Sequence, residues 1–366
     1  MHSKTWLHAA LVGALIAALG IPPNSRAVFA RQQEGPQGAP PAQEPAAPLP
    51  PSSQPQAPPK APQTPPPQTS ISVESNLVNV DVVVTNQDGD VLTGLTKDNF
   101  RITDNGQPQQ ITNFAPSEAP LTMVILMEYS GRFGGYFAYK TRQYSFSILN
   151  ALTPKDWVAL KTFSLRTRVE VDFTQNKQEV AQAINALFFP DFSEADLFDA
   201  VLETLDQLRD VKGKKSILVL ATGFDTFSKH TLDQTLNRIK ETDVPIFCVG
   251  MGEEIDLYSP RGAGVDYLQA KNQMTAFANM TGGYAWFPRF EGEMPDIFNS
   301  VAAYLRSQYT LGFTPSTPQD GRFHKLKVDS VDEQGDPLTF ADKKGKKKKT
   351  IVHARQGYMA TTSPAS

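Results

Sequence analysis

The alternation of apolar and polar residues divides the chain into three regions, and the first is a short β region. From Leu77 to Val84 the two kinds of residue alternate with a period of two, which is typical of a half-buried strand. Asn105-Gly106 then predicts a tight hairpin, because this pair suits the positive φ angles of such a turn. Residues 71–117 therefore indicate a small antiparallel β unit, which would be marginal on its own.

Beyond residue 117 the pattern changes to alternating strands and helices. Continuous apolar runs read LTMVILM, KSILVLAT and VPIFCVGMG, as expected of parallel strands covered on both faces. Segments with helical spacing separate these runs, and Asn176 and Ser193 are candidate helix caps. Residues 118–306 therefore predict an α/β domain, with a doubly wound, mostly parallel sheet and helices on both faces.

A β pattern returns after Gln308 in the segments YTLGFTP, RFHKLKVDSV and TIVHARQGYMA. Neither β region has enough strands to cover a core, so we predict that residues 71–117 and 307–360 pair into one small antiparallel β-sandwich. The α/β domain would be inserted between the two halves, with residues 361–366 as a tail. The lysine-rich run Lys343–Lys349 is interpreted as a solvated loop, or alternatively as a contact for acidic lipid or polyanion.

The N-terminal composition indicates export. His2 and Lys4 precede an apolar stretch that ends in small residues at Val28 and Ala30. This is the layout of a signal peptide over residues 1–30, cleaved after Ala30, and the alternative is an uncleaved anchor. Residues 31–70 are rich in proline and lack aromatics, which predicts a disordered linker. We expect a secreted or periplasmic protein.

Charge and motifs narrow the class of function. The formal net charge of −3 gives no basic field for nucleic acid. The single cysteine, Cys248, lies in an apolar run and reads as a buried hydrophobe. The chain has neither the Gly-x-Ser-x-Gly motif nor the His-Glu-x-x-His motif, so we expect that it is not an enzyme. A hydrolase would need a triad assembled only in three dimensions, around His230, His324 or His353.

Several stretches together resemble a known family. They read VNVDVVVTNQDGDVLTGLTKDNFRITDNGQPQQI, LFDAVLETLDQL, KSILVLATGFDTFS, YTLGFTP followed by DGRFHKLKV, and ARQGY. The α/β run resembles a von Willebrand factor type A domain, and residues 71–360 resemble the VWFA-related proteins typical of Acidobacteria. This resemblance implies an extracytoplasmic protein–protein interaction module of adhesion or assembly type.

The resemblance also implies a position for a metal-ion-dependent adhesion site that holds Mg²⁺ or Mn²⁺. The family pattern is Asp-x-Ser-x-Ser after the first strand, a Thr before a middle helix and an Asp after a later strand. In this chain the corresponding positions are occupied by Glu128, Ser130, Arg132, Ala195 and Thr222. Only Ser130 is unchanged, so we expect a degenerate site without metal or other cofactor. The alternative is a divalent-metal-dependent adhesion domain with a modified site.

Arg132 suggests how a degenerate site would still bind. Its guanidinium would take the electrostatic place of the metal, pairing with Glu128 or Asp225 or accepting a partner's carboxylate bidentately. Phe133 and Tyr136 would add apolar contact area beside it. The partner-binding candidates are therefore Arg132, Phe133, Tyr136 and Asp225, and the alternative is a vestigial site. The partner itself and the oligomeric state are not indicated.

Overall fold

The computed structural model describes residues 77–116, 120–131, 136–188, 192–251, 264–317, 320–341 and 345–361. The predicted signal peptide and proline-rich linker lie outside these ranges, as do Arg132 and Phe133. No helix among the described residues is long and apolar enough to cross a membrane.

Four short strands open the described part of the chain. They are β1 Val78–Thr85, β2 Phe100–Asp104, β3 Gln107–Gln109 and β4 Ile111–Pro116. Asn105 adopts a φ of 48° in the turn between β2 and β3, as the Asn-Gly pair predicts.

The central sheet follows, with six strands in the order β10-β9-β8-β5-β6-β7. These strands are β5 Leu121–Glu128, β6 Trp157–Phe163, β7 Thr167–Thr174, β8 Lys214–Ala221, β9 Ile246–Gly250 and β10 Ala285–Trp286. All neighbours in this sheet run parallel except β6 and β7, which pair antiparallel.

Helices cover both faces of this sheet. They are α1 Tyr136–Ala151, α2 Lys177–Ala186, α3 Leu197–Leu208, α4 Leu232–Ile239, α5 Gly264–Thr281 and α6 Met294–Arg306. Alternate residues of β5 enter opposite cores, since Ile125 packs in the layer with α1, α2 and α6, whereas Val124 and Leu126 pack with α3, α4 and α5. Both faces of β5 are buried, which explains its unbroken apolar sequence.

The chain then returns to the first strands. The last six strands are β11 Tyr309–Phe313, β12 Phe323–Ser330, β13 Thr339–Ala341, β14 Lys347–Lys349, β15 Ile351–Ala354 and β16 Gly357–Met359. Four of them, β11, β12, β15 and β16, complete two four-stranded sheets, β15-β1-β11-β4 and β16-β12-β2-β3, which share a third apolar core. Strands β13 and β14 pair with each other. A mostly parallel α/β sheet flanked by antiparallel sheets confirms the predicted fold class.

Two local predictions need correction. Helix α3 begins at Leu197 with Asp196 as its N-cap residue, so Ser193 is not the cap. Instead the backbone N–H of Ala195 donates to Thr226 Oγ1 and its carbonyl accepts from Thr226 N, which holds this segment outside the helix. The lysine-rich segment also differs from the predicted loop, because part of it forms β14. Asn176, by contrast, caps α2 as predicted, accepting from the N–H groups of Gln178 and Glu179.

The joint between the sandwich and the α/β domain is formed by the turn between β15 and β16. Gln356 N donates to the carbonyl of Met280 at the end of α5, and Arg355 forms an antiparallel bridge with Thr281. Gly282 adopts a φ of +80°, and a Cβ atom there would lie 2.6 Å from Arg355 N. The two backbones can approach this closely because residue 282 has no side chain.

Candidate functional site

The carboxyl ends of β5, β6 and β8 meet at one edge of the central sheet, where open α/β sheets usually bind ligands. The loop after β5 carries Ser130, and the loop after β8 begins at Thr222. The segment before α3 completes this edge with Ala195.

Glu128 links these loops through its carboxylate. It is fully buried, and its Oε1 accepts a hydrogen bond of 2.8 Å from Ser130 Oγ. Its Oε2 accepts from Thr222 N at 2.8 Å and from Thr222 Oγ1 at 2.7 Å. A glutamate is one methylene longer than the aspartate of the family pattern, and here the side chain spans from β5 to the loop after β8. Three of the sequence-predicted positions are thus joined by direct hydrogen bonds.

The other two predicted positions are placed differently. Ala195 is buried and contributes only its backbone, whose carbonyl accepts from the N–H groups of Thr226 and Phe227. Arg132 lies outside the described residues, so its meeting with a partner's carboxylate stays a prediction.

Asp225, a predicted partner-binding residue, is engaged in local structure. Its Oδ1 accepts from Phe198 N at 3.1 Å and from Ser228 Oγ at 2.5 Å. Burial raises the pKa of this carboxyl despite those hydrogen bonds, and the nearby Asp199 adds to the effect. This geometry ties the start of α3 to the loop after β8.

Asp196, the N-cap residue of α3, is a further carboxyl at this edge. Its side chain is 4 % exposed, and among the described residues no donor reaches its Oδ1. Burial raises its pKa to about 7, and the negative charges of Glu203, Asp199 and Asp225 contribute in the same direction. A buried carboxyl with one oxygen left without a hydrogen-bond partner is costly to ionise. No sequence signal distinguishes it from its acidic neighbours.

Exposed aromatic side chains flank the Glu128 network. Phe192, whose carbonyl accepts from Gly131 N, is 50 % exposed. Phe227, whose N–H donates to Ala195, is 56 % exposed. The predicted contributors were Phe133 and Tyr136. Phe133 and the side chain of Tyr136 lie outside the described part of the chain, so their contribution stays a prediction. Phe192 and Phe227 were not predicted.

The hydrogen bonds among Glu128, Ser130 and Thr222 engage oxygens that a hard divalent cation would need. Mg²⁺ prefers near-octahedral oxygen coordination, usually with carboxylate ligands. Glu128, Ser130 and Thr222 together supply one carboxylate and two hydroxyls, and those hydroxyls donate their protons to that carboxylate. Over the described ranges, no three His, Cys, Asp or Glu side chains are grouped to hold a metal ion.

The three histidines considered for a hydrolase lie in separate places. His230 binds Asp199 on the surface, and His353 lies beside Thr85 and Tyr304. His324 is buried in the sandwich, where its Nδ1 lies 3.2 Å from Asp104 Oδ2. The nearby Thr317 hydroxyl donates to that same Asp104 carboxylate and lies 3.3 Å from His324 Nδ1, so the three side chains form one hydrogen-bonded cluster.

Comparison with known proteins defines the class of this domain. The family model described as von Willebrand factor type A domain matches residues 122–264. The chain therefore contains a von Willebrand factor type A domain over those residues, as the sequence resemblance implies. No curated protein matches the chain.

Among the solved structures that match parts of this chain, three come from bacteria. A von Willebrand factor type A protein from Catenulispora acidiphila has 11 % identity and a TM-score of 0.42, over 77 % of this chain and 75 % of that one. The conserved hypothetical protein BatB from Bacteroides thetaiotaomicron has 12 % identity and a TM-score of 0.37, over 51 % of this chain and 100 % of that one. The vWF domain of the type V pili tip protein Mfa5 from Porphyromonas gingivalis has 11 % identity and a TM-score of 0.38, over 50 % and 94 %.

Proposed function

We propose that this chain is an extracytoplasmic protein-interaction module of adhesion or assembly type that binds its partner without a metal ion. The contact surface is the carboxyl edge of the central sheet, around Ser130, Phe192 and Phe227. The observation that carries the proposal is the Glu128 carboxylate, whose hydrogen bonds come from Ser130 and Thr222 of the chain itself.

The chemistry of this edge supports a metal-independent contact. In the metal-dependent form of such a site, hydroxyl oxygens face the cation, whereas here both hydroxyls donate to Glu128. A buried carboxylate with three donors is already stabilised, so a cation has little to gain by displacing them. Exposed aromatic side chains supply the apolar contact area that protein interfaces favour.

Export is part of the proposal and rests on the sequence alone. The apolar segment before Ala30 would direct export, and the proline-rich stretch of residues 31–70 would act as a spacer before the folded part of the chain. We also propose that this chain is related to the VWFA-related proteins of Acidobacteria.

The test combines calorimetry with crosslinking in the native envelope. Titration with Mg²⁺ or Mn²⁺ should give no binding heat, and mass spectrometry should find the same crosslinked partner with and without EDTA. The double variant Phe192→Ser, Phe227→Ser should lose that crosslink. Trp157→Ser is the matched control, because Trp157 is exposed at the amino end of β6, at the opposite edge.

Two outcomes would overturn the proposal in different ways. Micromolar binding of either cation, with crosslinking abolished by EDTA, would favour the metal-dependent alternative. Equal crosslinking of the phenylalanine double variant and wild type would place the partner's contact elsewhere on the molecule.

A further inference from the structure

A cavity lies at the joint between the sandwich and the α/β domain, near the amino ends of β8 and β9. Its volume is about 420 Å³, which is within the range of sites for small molecules. The sandwich contributes Asp81 and Arg355 to its walls, and the α/β domain contributes Lys214 and Asp243. The Glu128 network lies at the other end of the sheet, roughly 23 Å away along β8, so the two places are separate.

Positive charge exceeds negative charge on the walls of this joint cavity. The acidic residues that line it are Asp81 and Asp243. The basic residues that line it are Arg209, Lys212, Lys214, Lys215 and Arg355. The whole chain, by contrast, has a net charge of −3. A concave surface in which one sign of charge prevails raises the local concentration of small ions of the opposite sign.

Both carboxylates in the joint cavity are already engaged by groups of the chain. Asp243 Oδ1 lies 3.1 Å from Lys215 Nζ. Asp81 Oδ1 accepts a hydrogen bond of 2.7 Å from Thr310 Oγ1, and burial raises the pKa of this carboxyl. Lys212 is exposed, and no carboxylate in the described parts of the chain pairs with it. The two acids therefore leave positive charge in the cavity without a counter-ion.

Two basic side chains of the joint cavity are also poorly compensated where they are buried. Burial lowers the pKa of Lys214 to about 8, although the charge of Asp81 acts in the opposite direction. Burial likewise lowers the pKa of Arg355, against the effect of Asp243 and Asp81. A basic group whose pKa falls in spite of nearby carboxylates has a destabilised charged form, and an added anion would stabilise that form.

The donors of these two side chains are held in place by the surrounding chain. Arg355 Nη2 donates to Asn79 O at 2.6 Å, and the guanidinium carbon lies 5.8 Å from the centre of the Tyr358 ring. Lys214 Nζ donates to the carbonyl of Leu305. A guanidinium has five N–H donors and an ammonium has three, so both groups keep donors for a further acceptor. An oriented guanidinium together with ammonium groups suits the oxygens of a phosphate group.

We propose that the joint cavity binds a small molecule that carries a phosphate dianion. Its two negative charges offset the excess positive charge of the walls, and its oxygens accept from Lys212, Lys214 and Arg355. The cavity has room for a small organic group, so the phosphate is either free or part of a monoester. Because Arg355 follows a strand of the sandwich and Lys214 begins a strand of the α/β domain, the ligand connects the two domains.

Isothermal titration calorimetry of the full chain at pH 7.5 and constant ionic strength tests the proposal. The probes are inorganic phosphate and glycerol 3-phosphate, and acetate, with one charge, should bind several-fold more weakly than either. Lys212→Gln removes one positive charge and should weaken phosphate binding roughly fivefold. Lys240→Gln is the matched control, because Lys240 is exposed on the same domain and does not line the cavity.

A second variant is expected to strengthen binding. Asp243→Asn removes a negative charge from the cavity and releases Lys215, so phosphate affinity should rise roughly fivefold. Its control is Asp233→Asn, at an exposed position of α4 outside the cavity, which should bind like wild type. Circular dichroism of each variant establishes that the fold is retained.

The outcomes separate the source of the phosphate from failure of the proposal. Tighter binding of glycerol 3-phosphate than of inorganic phosphate identifies a monoester as the ligand, and equal affinity identifies free phosphate. The proposal is wrong if wild type shows no saturable binding of either probe, if acetate binds as tightly, or if Lys212→Gln and Lys240→Gln bind phosphate equally. Crosslinking through Phe192 and Phe227 does not depend on this cavity, so such a failure leaves the proposed function standing.

Discussion

At the residue scale, the buried carboxyl of Asp196 is expected to lower stability at neutral pH. Its pKa is about 7 in the folded chain against 3.8 for the free side chain, so the folded state binds more protons between these values. Stability should therefore fall as pH rises through this window. Asp196→Asn removes the charge and should raise the free energy of unfolding above pH 7 by up to about 4 kcal/mol.

The measurement is urea unfolding of wild type and Asp196→Asn at pH 4 and pH 7.5. The stabilisation should be present at the higher pH and nearly vanish at the lower one, where the folded wild-type carboxyl is already protonated. Asp210→Asn, at an exposed position in the turn that follows α3, is the control. A gain that is equal at both pH values would show that burial of charge is not its cause.

Some contacts of single residues at this edge follow from the sequence, and others do not. Glu128 and Ser130 are close because they lie two residues apart at the end of β5, and this proximity follows from the sequence whatever the fold. The contact between Glu128 and Thr222 depends on side-chain reach between two parallel strands, which spacing does not give. The burial of Asp196 depends on how the loop after β8 closes over α3, so it was missed.

At the element scale, the joint at Gly282 is expected to tolerate no side chain. Gly282 and Gly335 both have positive φ angles, +80° and +88°, so alanine costs a similar backbone strain of about 1 kcal/mol at either position. A Cβ at residue 335 has nothing within 4 Å, whereas at residue 282 it would lie 2.6 Å from Arg355 N. Gly282→Ala should therefore be more destabilising than Gly335→Ala by about 2 kcal/mol.

Thermal unfolding of the two alanine variants measures this difference directly. Because the backbone cost is shared, the excess at residue 282 reports the close approach of α5 to the turn between β15 and β16. Equal unfolding temperatures for the two variants would mean that the joint can open without loss of stability.

Element boundaries were predictable only where one periodicity dominates. The strands of the central sheet follow from their continuous apolar runs, since both faces of β5 and β8 are buried. Strands β13 and β14 were not predicted, because exposed strands of three residues need no apolar alternation. The start of α3 was displaced by hydrogen bonds between Ala195 and Thr226, which lie 31 residues apart.

At the scale of the whole molecule, His353 makes the junction of the two domains sensitive to acid. Its ring lies 5.1 Å from Tyr284 and 5.5 Å from Tyr304, both of the α/β domain, while its backbone belongs to β15 of the sandwich. Burial lowers its pKa from 6.5 to about 4, so the unfolded state binds more protons between those values. This contribution to stability is fully present above pH 6.5 and is lost as pH falls towards 4.

His353→Phe keeps an aromatic ring at the junction and removes the titration. Wild type should lose roughly 2 kcal/mol of stability through this group between pH 6.5 and pH 4.5, and the variant should lose correspondingly less. Denaturant unfolding at the two pH values measures the difference. Identical pH dependence in wild type and His353→Phe would contradict the assignment of acid sensitivity to this ring.

The general arrangement of the molecule was predictable because each terminal β region has too few strands to close a core alone. Their pairing is observed in the sheet β15-β1-β11-β4, which joins both regions. The aromatic junction around His353 was not predictable, since Tyr284, Tyr304 and His353 share no local pattern.

The insertion has a mechanical consequence. The chain leaves the sandwich through β4 and re-enters through β11, and these strands are paired side by side, with Pro116 opposite Tyr309. A pull on the α/β domain draws both strands in the same direction, so their mutual hydrogen bonds carry little shear. The load passes instead to the pairing of β11 with β1, which runs from Val78–Phe313 to Val82–Tyr309. These two strands separate only if they slide past each other, so that all their hydrogen bonds are loaded at the same time. A sandwich joined in this way can resist a tension that would break the hydrogen bonds of a hairpin one after another.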